Sequence, residues 1–491
     1  MLVFLGFAMI AVFMALIMTK KLTPVLALII VPTVFGLFAG AGLGLGDMVL
    51  ESMKSLTSTA ALLMFAIIFF GLMIDVGLFD PLVRFILRTL GNDPAKVVLG
   101  TAVLAAVVSL DGDGSTTFIL TTAAMLPIYL RLGMSPVVLT CVAGLANGTM
   151  NIVPWGGPTA RAAAALDVSP TDVFVPMIPS LLAGMVIVMI FAWSLGLHER
   201  KRLAGGITDT KGKPNLWENG GTGGSGSKDN GGSGRSGSGS GSTRVQPSGA
   251  PAAGGSVALL EAPVEETATD SSSLVGSALD PNRPTLRPKL FWFNLVLTVA
   301  VMVVLVLDIM PLAYVFMIGA ALALVVNFPK VKDQAAQLVA HGQSIVAVVS
   351  MVMAAGVLTG VLDGTGMVDA MAAWLVNIIP DSMGPFMAVI TGLLSIPMTF
   401  FMSNDAFYFG VLPVLSETAA HFGIAPAEMA RASITGQPVH MQSPLVPAIL
   451  LLVSLASVEL GDHHKKVLWR AAVVSVVMLA VGILLGAIPW G

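Results

Sequence analysis

Cysteine and charged residues are scarce in this sequence, and each scarcity excludes a class of protein. Cys141 is the single cysteine among 491 residues, which excludes an internal disulfide, and its apolar neighbours favour packing over chemistry. Charged residues make up 11% of the chain, whereas soluble domains have about 25%. No basic patch indicates nucleic acid as a partner, and no group of histidine and cysteine residues suits zinc or copper.

The chain instead consists largely of long apolar runs. Hydrophobic residues make up 55% of the chain, and runs of about 20 such residues can each span the ~30 Å hydrocarbon core of a bilayer. The run that begins at Met1 has no basic n-region and no A-x-A-like cleavage site, so we interpret it as the first membrane helix and not as a removed signal peptide. The composition therefore predicts an all-α polytopic protein of the cell membrane, embedded in the lipid bilayer.

One segment departs from this pattern. Residues 204–288 are rich in glycine and serine, most densely at 231–240. Such a segment cannot bury enough apolar surface to offset the entropy lost on ordering. We predict a flexible cytoplasmic linker without a transport role, which separates a first membrane repeat, 1–203, from a second, 289–491.

The two halves resemble each other. Short motifs recur about 289 or 290 residues apart: Gly77–Asp80 with Gly366–Asp369, Gly133–Pro136 with Gly423–Pro426, and Pro154 with Pro444. Three pairs in register indicate an internal repeat.

Hydropathy predicts five membrane helices and one re-entrant hairpin in each repeat. The first repeat has helices near 1–18, 22–44, 58–76, 136–166 (broken) and 172–197, an amphipathic segment at 80–90, and a hairpin at about 95–130. The second has helices near 289–308, 311–328, 343–362, 427–458 (broken) and 466–489, an amphipathic segment near 366–379, and a hairpin at about 384–418. The hairpin arms are marginal for crossing the bilayer, which favours re-entry.

The distribution of lysine and arginine predicts the orientation. With five crossings in each repeat, the second repeat is inverted relative to the first. An N-terminus outside, a cytoplasmic linker and a C-terminus outside satisfy the positive-inside rule, with Lys54, Arg161 and Arg431 as the exceptions. The two hairpins then enter from opposite sides, as in secondary transporters built from inverted repeats.

Four polar segments interrupt the apolar sequence, two in each repeat. We name them the first tip (109–117), the first break (147–158), the second tip (402–405) and the second break (436–444). Irregular backbone at membrane depth survives only where it is buried in protein or lines a cavity. Matched interruptions in the two halves of a chain indicate the binding site of a transporter.

The tips carry neutral donors, namely Ser115, Thr116, Ser403 and Asn404. The helix that follows each tip points its N-terminal amides and the positive end of its dipole at the membrane centre. An anion with several carboxylates is therefore the predicted occupant. The alternative for the serines is simple capping of the following helix.

Three acids also fall in the tips: Asp111, Asp113 and Asp405. Burying an unpaired carboxylate is costly, which leaves three explanations. The acids carry protons, they bind a hard divalent cation of the Mg or Ca class, or they pair with an arginine. An anion that is already chelated to a metal would tolerate such neighbours better than a bare anion.

The two breaks add amide, hydroxyl and imidazole groups. The predicted substrate-binding residues there are Asn147, Thr149, Asn151, Gln437, His440 and Ser443. His440 either relays protons or serves as a hydrogen-bond donor at the break. Arg161, and likewise Arg431, either binds a carboxylate in bidentate fashion or extends to the lipid headgroups. His463 and His464 fall in a predicted cytoplasmic loop, where we expect them to be solvated.

The chain resembles the citrate–metal:proton symporter (CitMHS) family of the ion transporter superfamily. The resemblance covers about 1–200 and 289–491, and its most specific stretches are Leu110–Thr117, Ile152–Arg161, Phe400–Phe409 and Gly436–His440. It implies uptake of citrate complexed with a divalent metal, driven by protons. It also implies a homodimer in which each protomer has a scaffold domain and a transport domain, the latter moving as an elevator. Sodium-coupled relatives carry Ser-Asn-Thr at both tips; Asp405 stands in place of the threonine here, which favours protons, a chelated metal, or both.

Other functions remain as alternatives. The nearest is a metal-free di- or tricarboxylate symporter coupled to protons or sodium. A membrane-embedded hydrolase would need an acid dyad or a nucleophile and base in one cavity, whereas this chain shows two weakly similar, symmetry-related sites. A channel would need a filter-like segment or an acidic ring, and the sequence has neither. We therefore predict a transporter, not an enzyme, with no permanently bound cofactor.

Overall fold

The computed structural model describes residues 1–19, 21–112, 114–204, 283–307, 309–380 and 382–491. Asp113 and most of the predicted linker lie outside these residues. Within them, every regular element is a helix, as the sequence predicts.

The first half contains ten α-helices among the described residues. They are α1 (Leu2–Met18), α2 (Pro24–Phe38), α3 (Leu45–Asp75), α4 (Asp80–Leu90), α5 (Pro94–Val108), α6 (Gly114–Arg131), α7 (Pro136–Met150), α8 (Gly157–Ala165), α9 (Pro170–Phe174) and α10 (Ile178–Ala204). Short 3₁₀ turns lie at Gly42–Gly44, Ser109–Asp111 and Val175–Met177.

The second half repeats this order with more interruptions. Its helices are α11 (Phe291–Val306), α12 (Leu312–Asn327), α13 (Val331–Ala340), α14 (Gly342–Gly364), α15 (Met367–Ile378), α16 (Met387–Phe401), α17 (Leu412–Ala420), α18 (Pro426–Ser433), α19 (Gln437–His440), α20 (Pro447–Leu455) and α21 (Leu460–Leu484). A π-helical turn, Ala406–Val411, precedes α17, and 3₁₀ turns lie at Pro288–Leu290, Gly384–Phe386 and Ile434–Gly436.

The repeated Gly-x-x-Pro motif explains one pair of helix boundaries. Gly133 has a φ of 70° and Gly423 a φ of 79°, a left-handed conformation that ends a helix at little cost only in glycine. Pro136 and Pro426 then begin α7 and α18, where the missing proline N–H leaves no hydrogen bond unmade.

Some helix boundaries differ from the sequence prediction. The helix predicted near 58–76 begins earlier, at Leu45. Its first turns are charged and exposed, with Lys54 paired to Glu51 at 3.1 Å, so hydropathy does not detect them. The helix predicted to reach residue 44 ends at Phe38, because Gly40 adopts a φ of 88°. The short helix α13 has no counterpart in the prediction.

Seven helical stretches among the described residues are long and apolar enough to cross a membrane. They include Pro94–Asp111 and Gly384–Phe401, which are the first arms of the two predicted hairpins. By length and composition these arms reach the size of a membrane span, whereas the sequence predicts that they are re-entrant.

The helices pack in two groups. α3 packs against α12 and α14, and α14 also contacts α2, whereas α10 packs against α5, α7 and α21, and α16 against α18 and α19. Close approach in the first group depends on Gly360, where a Cβ would lie 2.7 Å from the carbonyl oxygen of Met48. The groups contact each other at α8, which meets both α3 and the π-helical turn. They also meet where the π-helical turn contacts α1 and α14, and where the 3₁₀ turn Ser109–Asp111 contacts α3.

The end of the predicted linker is attached to the first half. Arg283 donates to the carbonyl oxygen of Asp75 at 3.0 Å and to the Asp80 carboxylate at 2.9 and 3.0 Å. Thr285 also donates to Asp75 O, at 3.0 Å. The Arg283 and Thr285 donors satisfy the carbonyl oxygen of Asp75 at the C-terminal end of α3, where the last carbonyls of a helix have no partner within it. The packed structure therefore resumes before residue 288.

Candidate polar site at the two helix breaks

The two breaks contact each other directly. α7 ends at Met150 and α8 begins at Gly157, while α19 ends at His440 and α20 begins at Pro447. A Cβ on Gly148 would lie 3.0 Å from the Cα of Pro438, so the glycine permits the crossing. At this crossing Asn151 Nδ2 lies 3.4 Å from Gln437 Oε1, and both side chains are buried.

Gln437 joins the breaks to the second tip. Its Nε2 donates to Asn404 Oδ1 at 3.1 Å and to the Tyr408 hydroxyl at 2.8 Å. Tyr408 is fully buried in the π-helical turn and is not among the site residues predicted from the sequence. Its signal was its place three residues after Asp405, in the helix that follows the tip.

Arg161 and Asp405 form an ion pair across the two halves of the chain. Arg161 Nε lies 2.6 Å from Asp405 Oδ1, with side chains 15% and 9% exposed. Gly157 leaves room for the guanidinium, since a Cβ there would lie 2.5 Å from Arg161 Nη1. Of the three explanations for the tip acids, pairing with arginine is the one that the geometry provides for Asp405.

Three further polar side chains hold the second tip and second break. His440 Nδ1 lies 2.6 Å from the carbonyl oxygen of Thr399, which can only accept, so Nδ1 carries a proton. Ser443 Oγ donates to the carbonyl oxygen of Phe400 at 2.6 Å. Ser403 Oγ accepts from the backbone N–H of Ala406 at 3.2 Å, which is the capping alternative of the sequence analysis.

The first tip packs under the first break. Trp155 Nε1 donates to the carbonyl oxygen of Leu110 at 2.7 Å, and Asn147 Nδ2 donates to Ser109 Oγ at 3.0 Å. Gly112 has a φ of 76°, which lets the chain turn beneath Trp155. The other amide atom of Asn147, Oδ1, is buried and has no hydrogen-bond partner. Such an atom is suited to a bound cation or a ligand donor.

The remaining predicted residues of the first tip lie beside this amide. Asp111 is buried, and Ser115 and Thr116, in the first turn of α6, are half-buried. A Cβ on Gly114 would lie 3.2 Å from Asn147 Oδ1 and 3.0 Å from Met441 of the second break. The first tip therefore touches both breaks, while Asp113 lies outside the described residues.

Thr149 and Arg431, for which the sequence suggested a role at the site, make their hydrogen bonds to backbone carbonyls outside the tips and breaks. The Thr149 hydroxyl donates to Leu145 O of its own helix at 2.8 Å, and a Cβ on Gly184 of α10 would lie 3.1 Å from its Cγ2. Arg431 donates to the carbonyl oxygens of Asp172 and Ala487 at 3.0 and 3.2 Å. It therefore binds backbone carbonyl oxygens of two other segments.

The comparison with known proteins identifies the family. The CitMHS model, described as "Citrate transporter", matches residues 2–436. The chain belongs to the CitMHS family. This confirms the resemblance drawn from the tips and breaks, and since the family and its named relatives are transporters, the protein is a multi-pass membrane transporter and not an enzyme.

Relatives of this CitMHS chain extend over its whole length. It is 46% identical over 100% of both chains to a protein of Bacillus subtilis (strain 168) named "Citrate transporter". It is 44% identical over 99% of both chains to the "Mg(2+)/citrate complex secondary transporter" of the same strain. The solved structure of the Alcanivorax borkumensis YdaH transporter covers 90% of this chain and 88% of that one, with 14% identity and a TM-score of 0.45.

One expectation about this CitMHS chain is wrong. His463 and His464 were expected in a solvated loop, but α21 begins at Leu460 and includes both. His463 is fully buried and His464 is half-buried. The prediction is wrong because the charged neighbours of His463 resemble a loop in hydropathy. In the structure Asp462 and Lys465 face outward and pair with each other at 3.2 Å, while His463 lies on the packed face of the helix.

Proposed function

We propose that this CitMHS protein is a secondary active importer of citrate in complex with a divalent metal of the Mg class, coupled to protons. The observation that carries the proposal is the junction of the two breaks and the second tip through Asn151, Gln437 and Asn404. Support comes from the relative, 44% identical, that is named as a Mg(2+)/citrate complex secondary transporter.

The charges of the junction suit a chelated anion. Because Asp405 is paired with Arg161, the pair is close to neutral and does not repel an anion. A metal–citrate complex has less negative charge than free citrate, and its metal prefers oxygen ligands. Asn147 Oδ1, which has no hydrogen-bond partner, and the Asp111 carboxylate would face the metal.

The carboxylates of citrate would face the donors. The N-terminal turn of α6, with Ser115 and Thr116, offers backbone N–H groups and the positive end of a helix dipole. At the second tip, Ser403 and Asn404 would serve in the same way. The Nη atoms of Arg161 remain available beside its Nε contact to Asp405, and they would bind a carboxylate while Asp405 fixes the orientation of the guanidinium.

Proton coupling would use groups of the same junction. Asp111, Asp113 and His440 are the candidates, since each is an ionisable group in a tip or break. His440 donates through Nδ1, so its Nε2 would be the atom that accepts a proton. Sodium coupling is the alternative.

Alternating access would proceed by an elevator movement. In this proposal α1–α3 and α11–α14 form the scaffold, which dimerises, α5–α10 and α16–α21 form the transport domain, and α4 and α15 are the connecting arms. The separate packing of the two helix groups supports this division. The repeats are inverted in the cell membrane, with both termini outside and the linker in the cytoplasm.

A metal-free di- or tricarboxylate symporter is the second candidate. It is favoured by the Arg161–Asp405 pair, because a carboxylate engaged by arginine is a poor metal ligand. In addition, no group of three histidine, cysteine, aspartate or glutamate residues within the described ranges is placed to hold a metal.

Uptake into proteoliposomes distinguishes the two candidates. Purified protein is given radiolabelled citrate under an inward proton gradient, with Mg²⁺, Ca²⁺ or a chelator. Citrate uptake that requires the cation, carries radiolabelled cation inward and collapses with a protonophore is the expected result. Uptake that is indifferent to the chelator would contradict the metal–citrate proposal and support the second candidate, and uptake driven only by sodium would contradict proton coupling.

A further inference from the structure

The side chain of Gln442, in the second break, is held in one orientation. It is fully buried, and its Nε2 lies 3.0 Å from the carbonyl oxygens of both Gly144 and Pro438. Both partners can only accept, so the NH₂ group of the amide faces them. Gln442 Oε1 is then left as an acceptor, and it lies 3.1 Å from His463 Nε2.

This arrangement fixes the tautomer of His463. Because Gln442 Oε1 can only accept, His463 Nε2 must carry the proton. Its other nitrogen, Nδ1, lies 3.1 Å from Thr140 Oγ1, whose hydroxyl also lies 3.1 Å from the carbonyl oxygen of Val137. The buried imidazole therefore donates to Gln442 through Nε2 and has the Thr140 oxygen within hydrogen-bond distance of Nδ1.

Two neighbours complete the contacts of Gln442. His464 Nε2 lies 2.7 Å from the backbone oxygen of Gln442, which must accept from it. A Cβ on Gly144 would lie only 2.5 Å from Gln442 Oε1. Glycine at position 144 is thus needed for Gln442 to sit where it does.

Gln442 is tied to the candidate substrate residues through the backbone. The carbonyl of Pro438, which accepts from Gln442, lies between Gln437 and His440 in the chain. The Gln437 side chain contacts Asn404 of the second tip, and the His440 side chain contacts Thr399 at the end of α16. Displacing Gln442 frees this carbonyl and loosens the turn that orients both side chains. Among the described residues, the hydrogen-bond partners of the His463 side chain are Thr140 and Gln442 and belong to neither tip, so we expect its effect on binding to pass through Gln442.

We infer that His463 is a positioning residue, which acts through Gln442 to hold the second break in the conformation that binds substrate. The inference rests on the proposed function, since binding at the second break is part of it. If loss of the His463 donor leaves about a tenth of the molecules in the competent conformation, the apparent affinity falls about tenfold, because affinity scales with that fraction.

The test compares three variants in the citrate uptake assay. His463→Leu removes the donor to Gln442, Gly144→Ala displaces Gln442 and leaves His463 intact, and His463→Gln offers an amide N–H in its place. His421→Leu is the control, because His421 is exposed at the end of α17. Initial rates give KM and Vmax separately, and thermal unfolding without citrate reports on folding.

The expected result is a KM about ten times higher in His463→Leu and in Gly144→Ala, with no further rise in the double variant. His463→Gln should recover most of the affinity, and His421→Leu should match wild type. An unchanged KM in His463→Leu, or a loss confined to Vmax and stability, would overturn the inference and leave the proposed function intact. Additive effects of the two variants would also overturn it. Wild-type protein without citrate uptake would overturn the proposed function itself.

Discussion

Arg161 Nε lies 2.6 Å from Asp405 Oδ1, which joins the helix after the first break to the second tip. The two residues are 244 positions apart in the chain, and both side chains are mostly buried. A buried charge that loses its partner is strongly destabilising, whereas replacing both partners is often tolerated. This asymmetry makes the pair a sensitive probe of the site.

Replacing Arg161 alone should destabilise the protein. In Arg161→Met the Asp405 carboxylate is left buried without its cation, and we expect the free energy of unfolding to fall by about 3 kcal/mol. The double variant Arg161→Met/Asp405→Leu should recover much of that loss but should not transport citrate. Denaturant unfolding in detergent and uptake in proteoliposomes measure the two effects. Wild-type stability in Arg161→Met would contradict the structural reading of the pair.

Replacing Gln437 should raise KM for citrate more than replacing Thr149 does. Gln437→Leu removes the hydrogen bonds to Asn404 and Tyr408 and the contact with Asn151, and we expect KM for citrate to rise at least about tenfold, since one lost bond is worth about 1 kcal/mol and several are lost. Thr149→Val is the matched control on the first break, because the Thr149 hydroxyl donates to Leu145 O of its own helix. A larger effect in Thr149→Val than in Gln437→Leu would contradict the proposed site.

Replacing Asn147 should raise the Mg²⁺ concentration that citrate uptake requires. Asn147→Ala removes the unpartnered Oδ1, and we expect the Mg²⁺ concentration for half-maximal citrate uptake to rise about tenfold, as for a loss of about 1.4 kcal/mol. Ser109→Ala is the control, because it removes the partner of Nδ2 and keeps Oδ1. The measurement is a Mg²⁺ titration at fixed free citrate, and equal effects of the two variants would exclude a special role for Oδ1.

Arg283 should contribute to stability. Arg283→Ala removes bonds to Asp75 O and to the Asp80 carboxylate, and hydrogen bonds to charged groups are worth about 1.5–3 kcal/mol. We expect a loss near the lower figure, because the Asp80 side chain is 21% exposed. Lys289→Ala, an exposed position in the same segment, should have little effect. Equal melting temperatures of these two variants would show that the contacts of Arg283 add nothing.

The ion pair between Asp93 and Arg200 should make the free energy of unfolding depend on pH. The hydrogen bond from Arg200 holds the pKa of Asp93 below its usual value of 3.8, so the ionised form is favoured by folding. The stabilisation is present in full above that value and is lost as the pH falls through the lower folded pKa. Arg200→Gln should therefore be less stable than wild type by about 0.5 kcal/mol at neutral pH, given the exposure of the pair. Melting curves at several pH values should show the difference vanish in acid; a difference that is constant with pH would contradict this assignment.

Much of the local structure could be predicted from the sequence. The amphipathic segment expected at 80–90 is the helix Asp80–Leu90, since its apolar periodicity is local. The wrong expectation for His463 has a local origin as well, because the hydropathy of its neighbours hides which face of the helix is packed. Whether a histidine is buried depends on what the other helices place beside it.

The sequence by itself determined the class of protein, the family and the four polar segments, because each depends on composition or on a contiguous motif. Only the tertiary structure decided which of these polar groups meet. It brought Asp405 to Arg161, Asn151 to Gln437, and Gln442 to His463. Such pairs form between helices far apart in the chain, and their geometry depends on how closely those helices pack, which no local pattern encodes.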